Sequence, residues 1–271
     1  MALLTCDVFS ETLEVGTSLT VVLPQTTSEQ IGVESVPTRP HGIPVLYLLH
    51  GLSDDHTAWL RYTSIERYAA ARGLAVVMPS VGRSFYADEA HGHRYWTYVS
   101  EELPEIVQSF FRVSARREDT FVAGLSMGGY GALKLGLSHP KRFAAVASLS
   151  GVADVRGLAT RLERRELVDR VFGGTFADSD DAFTLLEGVA PAERPALYIS
   201  CGTEEDRLMA DNTRFAQRAT QLGYAVTTDF RPGTHEWSLW DDVIQDVIAW
   251  LPLDPVTPEA SRGAEPAAPS A

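Results

Sequence analysis

Cysteine is scarce in this chain: Cys6 and Cys201 are the only two in 271 residues. Two cysteines so far apart give no disulfide framework of the kind that staples small secreted domains. Long apolar runs are missing too. No stretch approaches the ~18 consecutive apolar residues of a transmembrane helix, so no membrane span is expected. No block of Lys or Arg appears, and 36 acidic residues against 23 basic ones give a formal net charge of −13. That balance argues against nucleic acid or an anionic membrane surface as the main partner, and weighs mildly against a strongly anionic substrate. Residues 1–7 carry neither a basic stretch nor an apolar core, which predicts no signal peptide. Both cysteines are then expected as free thiols in a reducing cytoplasm. His91 and His93 resemble a metal pair in spacing, but no Cys or carboxylate framework surrounds them, and no metal site is expected there.

What is present is ordinary in amount and informative in order. A 45% apolar and 22% charged composition suits a soluble globular protein, and the length suits one large α/β domain or two small ones. Residues 7–15 and 18–23 read as an opening antiparallel hairpin with Gly16 at its turn. A Pro/Ser/Thr-rich loop follows over 26–42. Strand patterns recur at 45–49, 75–78, 120–123, 144–149, 196–200 and 225–230. Helical spacing occupies 64–72, 95–111, 209–222 and 237–251. Strands alternating with helices imply a mainly parallel sheet covered on both faces. Residues 152–190 interrupt the alternation with a charged, helix-leaning segment, read as a small cap-like insertion. Residues 254–271, rich in Pro, Ala, Glu and Ser, are expected to be disordered.

One stretch carries chemistry: Gly124-Leu125-Ser126-Met127-Gly128. An apolar run precedes it and a small-residue helical pattern follows. Strand, G-x-S-x-G, helix is the context of a nucleophile elbow, a strained turn that exposes a serine hydroxyl at the tip of a sheet. Glycine is needed at 124 and 128 because a side chain there would strike the neighbouring strand or helix. A serine hydroxyl is a weak nucleophile at neutral pH and needs a base, which needs an orienting acid. The order Ser, acid, His is met. The acid is read as Asp206, with Glu205 as the alternative, in Cys201-Gly202-Thr203-Glu204-Glu205-Asp206. The base is His235, in Gly233-Thr234-His235-Glu236-Trp237. An oxyanion needs two N–H donors. They are assigned to the amide of Met127 and to that of Leu52, in His50-Gly51-Leu52-Ser53, with the His50 ring holding the loop. Cys201 lacks an elbow and is read as packing near the acid loop. Trp59, Phe85, Tyr86, Trp96 and Trp237 flank the motif loops and are candidates for the substrate pocket, each with a core position as its alternative.

With these motifs in place, the chain resembles the tributyrin esterase family, within the esterase D and S-formylglutathione hydrolase-like group of α/β-hydrolases. The resemblance rests on His50-Gly51-Leu52-Ser53-Asp54-Asp55-His56-Thr57-Ala58-Trp59, on Arg83-Ser84-Phe85-Tyr86-Ala87-Asp88, on Tyr98-Val99-Ser100-Glu101-Glu102-Leu103-Pro104, on the elbow extended to Ala132, and on the two loops around residues 201 and 235. It implies an α/β-hydrolase domain over 1–253, with a mainly parallel central sheet, helices on both faces and a small cap. It further implies an intracellular carboxylesterase that takes small-molecule esters with short acyl chains and uses no metal or cofactor. The triad maps onto Ser126, Asp206 and His235. The acid loop holds one residue more than the family pattern: aligned from the left the acid falls on Glu205, from the right on Asp206. A thioesterase acting on S-formylglutathione, and a deacetylase or feruloyl esterase acting on acylated carbohydrate, are the alternatives within the same chemistry. A non-catalytic binding protein and an acyltransferase are those outside it. The sequence leaves room for a homo-oligomer.

Overall fold

A computed structural model describes residues 1–27, 31 and 39–253. Most of the loop expected over 26–42, and all of the 254–271 tail, lie outside the described residues. Eight strands form one sheet: β1 (Ala2–Ser10), β2 (Val15–Leu23), β3 (Val45–Leu49), β4 (Ala75–Pro79), β5 (Thr120–Leu125), β6 (Ala145–Leu149), β7 (Ala196–Gly202) and β8 (Val226–Arg231). Their spatial order is β1-β2-β4-β3-β5-β6-β7-β8. β1 and β2 pair antiparallel, as do β2 and β4, and every pairing from β4 to β8 is parallel. Every residue of β3, β4, β5 and β6 is buried, as expected of parallel strands with both faces covered.

The covering helices are α1 (Ala58–Tyr62), α2 (Ile65–Ala70), α3 (Tyr95–Thr97), α4 (Leu103–Phe110), α5 (Met127–Ser138), α6 (Arg165–Phe172), α7 (Ala182–Gly188), α8 (Asp206–Gln221) and α9 (Trp237–Trp250). Because strand side chains alternate, β3 serves two cores. Val45, Tyr47 and Leu49 pack with Tyr130 and Leu133 of α5 and Phe215 of α8. Leu46 and Leu48 pack on the opposite face with Ile65 of α2 and Val243 and Val247 of α9. Among the described residues no helix is long and apolar enough to cross a membrane.

Two local details depart from the sequence pattern. The first hairpin does not turn at Gly16, which lies inside β2 opposite Phe9. It turns at residues 11–14, because Glu102 supplies the acceptors: Ser10 Oγ donates to it at 2.5 Å and the Glu11 amide at 2.7 Å. The helical pattern over 95–111 does run past Pro104, by a particular device. Residues 98–102 widen into a π-turn that runs directly into α4, and Pro104, its second residue, offers no N–H to the Ser100 carbonyl one turn back. The Ser100 carbonyl accepts instead from the Arg142 guanidinium.

The 152–190 segment leaves β6 and returns into β7 as α6, α7 and short 3₁₀ turns. It is pinned to the elbow helix: Lys134 Nζ meets Asp180 Oδ1 at 2.8 Å, and Tyr130 donates its hydroxyl to the Asp180 carbonyl at 2.8 Å. The loops leaving β3, β5, β6, β7 and β8 all emerge at one edge of the sheet, and they carry Leu52, Ser126, Ser150, Glu205 and His235. This is the edge at which parallel α/β sheets bind ligands.

Candidate active site

β5 delivers Ser126 and α5 begins at the next residue. Ser126 is held at φ 54°, ψ −115°, a left-handed conformation that costs a non-glycine residue roughly 1–3 kcal/mol. Its neighbours enforce it. The Ser126 amide donates to the Leu149 carbonyl at 2.9 Å, and its carbonyl accepts from the Tyr130 amide at 3.2 Å. The turn is also tight. A Cβ on Gly124 would overlap the backbone of Gly128, and one on Gly128 would overlap the carbonyls of Leu49 and His50.

His235 Nε2 lies 3.0 Å from Ser126 Oγ, and His235 Nδ1 lies 2.5 Å from Glu205 Oε2. A carboxylate only accepts, so Nδ1 carries the proton and leaves the Nε2 lone pair to accept from the serine hydroxyl. The acid in this chain of contacts is therefore Glu205, not Asp206, which corrects the first choice made from sequence. The physical reason lies in the backbone. The Glu205 amide closes a turn onto the Gly202 carbonyl at 3.1 Å, and α8 starts at Asp206. The helical rotation swings Asp206 into solvent. Its charge is favourable there at a helix N-terminus, while the Glu205 side chain, 4% exposed, points inward.

Glu205 has more partners than His235. Ser150 Oγ donates to its Oε1 at 2.6 Å and the Gly202 amide does so at 3.0 Å. Burial alone would push this carboxyl up. The hydrogen bonds from His235, Ser150 and Gly202 outweigh it and hold the group below its ordinary range, because each stabilises the ionised form. Ser150 is itself fixed: it sits at φ 47° and accepts from Trp240 Nε1 at 3.1 Å. The Trp240 ring also stands edge-on to the His235 ring, with centroids 4.8 Å apart. Ser150 and Trp240 were not singled out from the sequence. The only local signal is their place one residue past a strand end and on the first turn of the last helix. Cys201 packs against Glu205 Oε1 at 3.7 Å. Burial, then the Glu205 charge, pushes its thiol up to about 12, so it is an inert packing group.

The loop after β3 is clamped from both sides. His50 Nε2 accepts from the Val81 amide at 3.1 Å and Nδ1 donates to the Gly51 carbonyl at 2.7 Å. Burial pushes the His50 ring down in pKa and keeps it neutral, as that bonding pattern requires. Tyr86 donates its hydroxyl to the His50 carbonyl at 3.0 Å. The amides of Leu52 and Met127 donate to no other described group, which leaves both N–H vectors available to a ligand.

A cavity of about 570 Å³ opens here, lined by Leu52, Leu125, Ser126, His235, Trp237 and Trp240 among others. Of the five aromatic candidates, only Trp237 lines it. Trp59, Phe85 and Tyr86 are core residues, 1%, 2% and 0% exposed, and two of them have structural duties. Trp59 donates Nε1 to the Leu49 carbonyl at 3.1 Å, and Tyr86 clamps the loop. Trp96 faces a different cavity with Lys134 and His139. Flanking a motif in sequence did not translate into facing the cleft. Among the described residues no group of three or more His, Cys, Asp or Glu is placed to hold a metal ion.

The Esterase family model matches residues 10–251. The chain is 28% identical over 264 residues to an acetyl esterase of Caldicellulosiruptor saccharolyticus, covering 93% of this chain and 98% of that protein. Among solved structures, the substrate-bound fluorophosphonate-binding serine hydrolase F of Staphylococcus aureus matches with a TM-score of 0.82 at 34% identity, over 93% of this chain and 99% of its own. An S-formylglutathione hydrolase of the same organism matches with a TM-score of 0.77 at 34% identity, over 93% and 98%.

Proposed function

The chain belongs to the Esterase family and is a carboxylic ester hydrolase, and from that premise we propose that it cleaves short-chain acyl esters through Ser126, His235 and Glu205. The observation that carries this reading is the continuous contact from Ser126 Oγ through His235 to Glu205. His235 Nε2 takes the hydroxyl proton as Ser126 Oγ attacks the ester carbonyl. The oxygen that becomes negative is received by the amides of Leu52 and Met127, preorganised donors of the kind that supply a large share of such catalysis. The tetrahedral species collapses, His235 returns the proton to the leaving alcohol, and the acyl group stays on Ser126. Water then attacks the acyl-enzyme with His235 again as base. The acid departs and Ser126 regains its proton. Glu205 stays ionised throughout, holding the ring's tautomer and stabilising the imidazolium.

A short acyl chain is favoured by the modest cleft and by the acetyl esterase among the relatives, in keeping with the narrower resemblance to tributyrin esterases. A thioester reading draws support from the S-formylglutathione hydrolase neighbour. The two free cysteines suit the reducing cytoplasm expected for the chain. The reading is tested with p-nitrophenyl esters from acetate to palmitate, beside Ser126→Ala, and with S-formylglutathione. Serine-dependent turnover that peaks at short chains supports it. Turnover of the thioester alone transfers the assignment to that class, and no serine-dependent turnover on any substrate removes it.

A further inference from the structure

Two arginines line the cleft that holds Ser126 and His235: Arg83, from the loop after β4, and Arg164, at the entrance to α6 in the 152–190 insertion. Other arginines of the molecule have partners of several kinds: Arg72 and Arg142 donate to backbone carbonyls, Arg61 and Arg67 lie over tyrosine rings, and others meet carboxylates. Arg170 meets Glu89, Arg214 meets Asp154 and Arg231 meets Asp246. Among the described residues, the Arg83 and Arg164 side chains make no ion pair, hydrogen bond or ring contact. Their placement is nevertheless built. Arg170 of α6 donates Nη2 to the Arg83 carbonyl at 2.9 Å, so the loop of one arginine is tied to the helix that the other begins.

The same cleft contains two carboxylates, and neither answers these arginines. Asp54 is turned back over its own loop, with Oδ2 lying 2.7 Å from where a Cβ on Gly51 would stand. Glu236 is the N-cap of α9, where a helix N-terminus favours a negative charge without a cation. No contact between either acid and either arginine falls within ion-pair distance. A guanidinium cannot discharge at any working pH. The cleft is therefore lined by two permanent guanidinium charges that no carboxylate contacts, with Asp54 and Glu236 elsewhere on the same lining, in a chain of net charge −13. A bound molecule feels the charges that line its site, and the sum over the whole surface mainly sets its approach.

We propose that Arg83 and Arg164 form an anion-binding subsite of the cleft, so that the preferred ester carries a second, negatively charged group, a carboxylate or a phosphate. This rests on the serine esterase reading above and refines its substrate class. Planar, forked donors suit both groups.

The test uses matched pairs of esters. 4-Nitrophenyl valerate is compared with mono-4-nitrophenyl glutarate, and phenyl butyrate with 4-(butyryloxy)phenyl phosphate. kcat/KM is measured for the wild-type protein, Arg83→Gln, Arg164→Gln, the double variant and the corresponding Lys variants, with Ser126→Ala as the blank. At least one charged ester should exceed its neutral match by ~10-fold, which is the scale of one charge-assisted hydrogen bond. Each Gln should cut that ratio by roughly 5- to 10-fold, chiefly through KM, and Lys should restore part of it. The ratio should also shrink between about 20 mM and about 0.5 M salt. A preference for glutarate alone identifies a carboxylate ligand, and one for the phosphate alone identifies a phosphate ligand. If both charged esters are poorer than their neutral matches, or the ratio survives in the double Gln variant, the subsite is overturned. Serine-dependent turnover of the neutral esters would then leave the esterase reading standing, whereas its absence in the wild-type protein would count against that reading instead.

Discussion

The two ends of the Ser126–His235–Glu205 chain are built on different principles. At the serine end, one strand, one turn and one helix in immediate succession hold Ser126, and the constraint is steric: Gly124 and Gly128 admit no Cβ. At the acid end, Glu205 is held by hydrogen bonds from Ser150 and Gly202, and Ser150 in turn by Trp240. Those groups come from the end of β6, the end of β7 and the start of α9. A steric turn is a local device that tolerates almost no substitution. A hydrogen-bonded cradle is a distributed device that degrades one bond at a time.

Substitutions should expose that difference. The largest effect is expected at the tip of the steric device. Ser126→Ala removes the nucleophile and should lower kcat on a short p-nitrophenyl ester on the order of 10⁶-fold while leaving thermal unfolding nearly unchanged. At the other end, Glu205→Gln keeps the shape but removes the charge that sets the tautomer, and should lower kcat about 10⁴-fold. Asp206→Asn, one residue away and in solvent, should stay within about threefold of wild type, as surface changes do. If Asp206→Asn instead gives the larger loss, Glu205 is not the acid.

The frame itself can be broken without touching a reacting group. Gly128→Ala would drive a methyl into two backbone carbonyls. It should cost about 3 kcal/mol, seen as a fall in Tm of roughly 6–12 °C. Ser150→Ala, by contrast, removes one bond to Glu205 and strands the Trp240 N–H. The expected loss is about tenfold in kcat with KM within about twofold, since the cradle orients the acid and does not touch substrate. A change confined to Tm would assign Ser150 a purely structural role.

The smallest expected effect is in pH dependence. The Glu205 carboxyl is held below its ordinary range, so the folded state gives up this proton more readily than the unfolded chain does. That stabilisation is complete above the unfolded value of about 4.3 and is lost as pH falls through the lower folded value. The Tm difference between wild type and Glu205→Gln should therefore hold steady from about pH 7 to about pH 5 and shrink toward about pH 3. A difference that grows in acid would reverse the sign.

How much could be read in advance follows from the same contrast. The elbow was legible because strand, G-x-S-x-G and helix are adjacent in sequence, and the order of acid and histidine was legible because each follows a strand. The choice between Glu205 and Asp206 was not. It turns on where α8 begins and on a serine and a tryptophan 55 and 35 residues distant. The first hairpin shows the same limit: Gly16 looked like its turn, but Glu102, some ninety residues on, decided where the chain reverses. Among the aromatics, Trp59, Phe85 and Tyr86 flank motifs because they support the loops from beneath, and proximity in sequence cannot distinguish support from lining.

The alternation of strands and helices, the strained serine turn and the position of the histidine loop follow from residue order alone, because each rests on sterics and periodicity within a dozen residues. Which acid faces His235, which of the flanking aromatic rings meets the cleft and which arginines line it were set when the fold assembled. Those outcomes depend on hydrogen bonds and burial between segments that meet only once the sheet has assembled.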